Sequence, residues 1–116
     1  MISMEELRNN IAKAKDLNSR QFKNFTSNFY VMKSALRYYS KNQGLSFNAS
    51  RIADEFPLSV PAAGSGLKIL SDLNVVESRT ESSSPDRYLP ENVDLSRLLE
   101  VQKILIEQLE IEEFDK

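Results

Sequence analysis

The sequence predicts a mainly α-helical domain of α+β class, with long helices at its two ends and two short helices followed by a small β-hairpin between them. Three observations lead there. Phe22, Phe25, Phe29, Met32, Leu36 and Tyr39 recur at alternating intervals of three and four, which is the spacing of one buried helical face. Leu95, Leu98, Leu99, Val101, Ile104, Leu105, Ile106 and Leu109 repeat the pattern near the end of the chain. Between them stand two N-cap residues, Asn48 and Ser59, and then two short apolar stretches on either side of a polar loop, the order of helix, helix and hairpin.

Composition narrows the function. A chain of 116 residues has room for one core and a few flanking helices. Hydrophobic residues at 41% and charged residues at 28% are a globular balance. Neither cysteine nor histidine is present, so disulfide frameworks, thiolate zinc sites and imidazole-dependent catalysis are excluded. No spacing of Ser, Lys, Tyr or carboxylates suggests a reaction, so a non-enzyme with no cofactor and no metal is expected. No apolar run approaches the roughly 20 residues of a membrane span. Met1–Glu6 lacks a basic flank leading into an apolar stretch. A cytosolic (cytoplasmic) location is therefore expected.

Charge is unevenly placed although the net is only −2. Residues 1–41 carry eight Lys/Arg against three acids, or +5; residues 42–90 carry four against six, or −2; residues 91–116 carry three against eight, or −5. The polarity suits steering of a polyanion to the N-terminal half, or equally two helices with opposite solvent faces.

Ser3 with Glu6 has capping-box spacing and predicts a helix over 4–16. The Phe-rich face predicts one long helix over about 20–42, stopped by Gly44. Asp94 caps a last helix running to about Glu112, whose clustered acids oppose the helix dipole. Rings interleaved with Lys and Arg could stack on bases. A three-four stripe instead buries them against another helix, so Phe22, Phe25, Phe29, Met32, Leu36, Leu98, Leu105 and Leu109 are expected in a core or at a homodimer interface.

The segment from Leu45 to Pro90 carries a fold resemblance. Leu45–Phe47 reads as a short strand, Asn48 caps a helix to Phe56, and Ser59 caps a second helix over Val60–Leu73 with Pro61 in its first turn. Asn74 suits a left-handed C-cap, Val75–Thr80 a strand, Glu81–Asp86 a loop and Arg87–Leu89 the returning strand. With the Ile52-Ala53 pair and Leu67, Leu70 and Leu73 facing inward, these residues resemble the winged helix-turn-helix of ArsR-like and MarR-like transcription regulators.

That resemblance implies a homodimeric DNA-binding transcription regulator, with Val60–Leu73 as recognition helix and double-stranded DNA as partner. The expected contacts are Arg51, Ser59, Ala62, Ser65, Lys68, Arg79, Ser83 and Arg87, mostly to phosphates. The outward stripe of that helix has no Arg, Asn or Gln to read a base edge. Gly64 and Gly66 inside it each cost about 1 kcal/mol relative to Ala, which fits a close approach by a phosphate backbone or by another protein's helix. The alternative is a protein-interaction module docking through Ala62, Ser65 and Ile69.

Overall fold

Four helices of this chain begin at a side-chain oxygen that accepts the backbone N–H three residues on. Ser3 Oγ accepts from Glu6 N at 3.1 Å and opens α1 (Met4–Leu17). Asn48 Oδ1 accepts from Arg51 N at 2.9 Å and opens α4 (Ala49–Glu55). Ser59 Oγ accepts from Ala62 N at 3.1 Å for α5 (Val60–Asp72), and Asp94 Oδ1 accepts from Arg97 N at 2.9 Å for α6 (Leu95–Glu107). Each bond satisfies one amide that the helix leaves orphaned. The computed structural model that shows them describes residues 3–42, 46–79, 87–88 and 90–113.

The single helix expected over 20–42 is two, α2 (Ser19–Ser27) and α3 (Phe29–Lys41), joined at Asn28 with φ −108° and ψ 14°. The local polar residues explain the break. Thr26 Oγ1 donates to the Lys23 carbonyl at 2.9 Å, and Asn28 Nδ2 donates to the Asn24 carbonyl at 2.9 Å. Such back-bonding competes with the helical ladder and bends it. The apolar seam survives the bend: Phe22, Phe25, Phe29, Met32, Leu36 and Tyr39 are all buried.

Both later helices end in Schellman turns. After α5, Val75 N donates to the Leu70 carbonyl at 2.8 Å and Asn74 N to the Ser71 carbonyl at 3.1 Å, with Asn74 at φ 64°. After α6, Glu110 N donates to the Leu105 carbonyl at 2.9 Å and Leu109 N to the Ile106 carbonyl at 3.0 Å, with Leu109 at φ 59°. Helix α6 therefore stops at Glu107 instead of Glu112, and the acids Glu110, Glu112 and Glu113 lie beyond it.

The winged α+β class is overturned. Six helices build the fold, and no wing stands out from it among the described residues. Extended pairing there consists of Ser78–Arg79 (β1) antiparallel to Arg87–Tyr88 (β2), plus a Phe47–Tyr88 bridge. Loop residues 80–86 and Leu45 lie outside the described residues. The reason lies in Val75 and Val76, expected to start a strand. Both are buried as core, and the Val75 carbonyl accepts the Asp94 amide at 2.7 Å, so the backbone there braces the start of α6 rather than a ladder. Two paired dipeptides are far below what gives a sheet independent stability.

One core joins all six helices: Leu7 and Ile11 of α1, the Phe-rich seam, Ile52 of α4, Ala63, Leu67, Ile69 and Leu70 of α5, and Leu98, Val101, Ile104 and Leu105 of α6. Within it, a Cβ on Gly66 would lie 3.2 Å from Met32 Cε, so Gly66 leaves room for the Met32 side chain. A Cβ on Gly64 would lie 3.8 Å from the Ala49 Cβ, an ordinary contact.

Two substitutions test these backbone assignments by urea denaturation. Leu109 is 90% exposed and left-handed, so Leu109→Gly gives up little burial and raises stability by about 1 kcal/mol. Gly64→Ala raises it by about 0.5–1 kcal/mol, because the helical backbone gains and the added methyl fits.

Candidate nucleic-acid interface

The surface that could meet a polyanion is set by which cations remain after internal pairing. Arg8 Nη2 meets Glu107 Oε2 at 3.0 Å, and Lys15 pairs with Glu110. The positive N-terminal and negative C-terminal stretches thus neutralise each other in part. Among the described residues Lys13, Arg20, Lys23, Arg37, Lys41, Lys68 and Lys103 are exposed and form no ion pair with a carboxylate.

Helix α2 carries two of these cations, as α3 does with Arg37 and Lys41, and on α2 they join two polar side chains in one stripe. Arg20, Lys23, Asn24 and Ser27 are exposed and stand at i, i+3, i+4 and i+7, so they share one face opposite the buried Phe22 and Phe25. No acid lies on α2. The sequence from Leu17 to Ala53 contains six Lys/Arg and no Asp or Glu at all. Helix α2 packs along α5.

Sequence reasoning counted Arg20 and Lys23 among the basic N-terminal residues that could meet phosphates, but did not single out this face or Asn24 and Ser27. Their signal was available in that acid-free run, but the Phe spacing drew attention to the buried side of the same helix.

The expected DNA contacts divide differently. Lys68 is exposed, whereas Ala62 and Ser65 are half-buried. The Ser59 hydroxyl is already used as the α5 cap. Arg51 is committed to Glu55, with Nε 3.0 Å from Oε1, and its guanidinium lies 5.9 Å from the Tyr39 ring centre. Arg79 and Arg87 are brought opposite each other in the β1–β2 register. Ser83 lies outside the described residues, as do the side chains of Arg79 and Arg87.

The docking patch of the alternative reading is not assembled either: Ile69 is 5% exposed, inside the core. Of the eight residues expected in a core or a homodimer interface, Phe22, Phe25, Phe29, Met32, Leu36, Leu98 and Leu105 fill the chain's own core, and Leu109 is exposed.

A polar cluster holds the α3–α4 junction behind this surface. The Tyr39 hydroxyl donates to Glu55 Oε1 at 2.5 Å, the same oxygen that Arg51 engages. The Tyr39 ring stacks on Phe47 with centres 4.8 Å apart and planes 5° apart, and Phe47 stacks on Tyr88 at 5.6 Å. Burial, then the Glu55 carboxylate, pushes the Tyr39 phenol well above its usual range. The Tyr39 hydrogen bond, with help from Arg51, holds the Glu55 carboxyl below its usual value. The cluster is a brace in which Glu55 Oε1 ties the Tyr39 hydroxyl to the Arg51 side chain.

Comparison with family models, with curated proteins and with solved structures yields no match. Among the described residues no helix is long and apolar enough to cross a membrane.

The brace has a pH signature. Because Glu55 is depressed in the folded chain, its stabilisation is present above its ordinary value of 4.5 and is lost as pH falls through the lower folded value. Tyr39→Phe keeps the ring stack and removes the bond. The expected stability difference from wild type, measured by urea denaturation, is full at neutral pH and shrinks once pH falls below 4.5.

Proposed function

We propose that this chain binds duplex DNA through the exposed face of α2, chiefly by its phosphates. The observation that carries the reading is the acid-free stripe of Arg20, Lys23, Asn24 and Ser27 on a helix whose other side is locked into the core. Two cations and two hydrogen-bonding side chains on a rigid rod form a contact set for a sugar-phosphate backbone. Asn24 and Arg20 also have the side-chain types that pair with adenine and guanine edges. The α5 face offers less: Lys68 is its one exposed cation, with Asp72 also exposed a turn later.

The transcription-regulator role expected from the sequence narrows accordingly to DNA binding with modest sequence preference. It draws its support from the α2 surface rather than from the overturned winged class. The protein-interaction alternative loses its anchor with the burial of Ile69.

Fluorescence anisotropy with a labelled duplex at two salt concentrations tests the reading. Binding below about 10 μM at low salt is expected, with the salt slope falling by about 1 for each of Arg20→Ala and Lys23→Ala. Loss of affinity in Arg79→Ala/Arg87→Ala with none in Arg20→Ala/Lys23→Ala would move the interface off α2. No binding of wild type at low salt would end the proposal.

A further inference from the structure

A second surface lies between α3 and α6 and has a different chemistry. Lys33 Nζ donates to Gln102 Oε1 at 2.7 Å across these helices. Beside this contact a cleft of about 310 Å³ opens, lined by Lys33, Arg37, Leu95, Leu98 and Leu99. Its volume lies at the lower end of the roughly 300–1,000 Å³ of small-ligand sites. Among the described residues the lining combines two cations with three leucines and no carboxylate, and the Lys33 ammonium lies 5.8 Å from the Tyr30 ring centre.

We propose that the cleft binds a small aliphatic carboxylate, its head group between Lys33 and Arg37 and its chain along Leu95, Leu98 and Leu99. Charge complementarity selects the head group. The Lys33 side chain is buried beside the Arg37 guanidinium, and both circumstances, burial first, lower its pKa. An anion between the two groups opposes both effects.

The leucines select the body. Leu99 is 53% exposed in the middle of α6, and a phosphate or other compact ion would leave it wet. An alkyl chain covers it. The proposal is independent of the α2 surface, with which it shares no residue.

Octanoate is the probe, titrated into the ¹⁵N-labelled chain with octanol and octylammonium as parallel probes. Octanoate is expected to shift the amides of residues 33–37 and 95–99, and to bind at least about tenfold more tightly than octanol, with octylammonium weakest. Arg37→Gln lowers octanoate affinity by about tenfold and leaves octanol unchanged, whereas Leu99→Ser weakens both. Arg37 and Leu99 are exposed, and the amide spectrum of each variant reports directly on folding.

Equal binding of octanoate and octanol, indifference to Arg37→Gln, or shifts confined to other helices would overturn the assignment. So would tighter binding of an acidic leucine-containing peptide, or self-association by light scattering that blocks the cleft, since either gives it a macromolecular occupant.

Discussion

The bend at Asn28 is the constraint on which the rest of the structure depends. A straight helix from residue 19 to 41 would carry its aromatic seam along one line and would need a second long surface to cover it. Bent, the seam wraps a core within the chain. Phe25 and Phe29 meet edge to face across the joint at 5.6 Å. The α2 arm packs on α1 and α5, while the α3 arm meets α6 and the Pro90–Asn92 turn. Rings that could have formed an interface between subunits become the centre of one subunit.

The legible parts of the sequence were those set by neighbours along the chain. Ser3, Asn48, Ser59 and Asp94 cap helices because each carries a short side-chain oxygen at the right offset, and that chemistry needs no tertiary partner. Asn74 as a left-handed stop is equally local. The bend was harder to read, because Thr26 and Asn28 are common enough in helices and only their joint back-bonding interrupts this one. Leu109 in a left-handed turn was not legible, since Leu is among the residues least suited to that conformation.

The expected strand shrank to its end, Ser78–Arg79, for another reason. Val75 and Val76 have strand-forming side chains, but their contacts are decided by α6, which no local pattern announces. The candidate interface was half-legible in the same sense. Composition placed positive charge in the first 41 residues, yet which cations stay available depends on Arg8 and Lys15 finding Glu107 and Glu110 across the fold. Among what remains is α2, where a buried aromatic side and an exposed basic side coexist on nine residues.

Those same ion pairs also bear on the order in which the chain can assemble. Arg8 and Glu107 are 99 positions apart, and Lys15 and Glu110 are 95 apart. During synthesis the caps and the bent aromatic seam can form as their residues emerge, but Arg8 and Lys15 of α1 lack these partners until residues 107–110 have left the ribosome. Helix α1 is held first by its apolar side, Leu7 and Ile11 with Met4 and Ala14, and its polar closure is a late step whose loss would register in the unfolding rate more than in the folding rate.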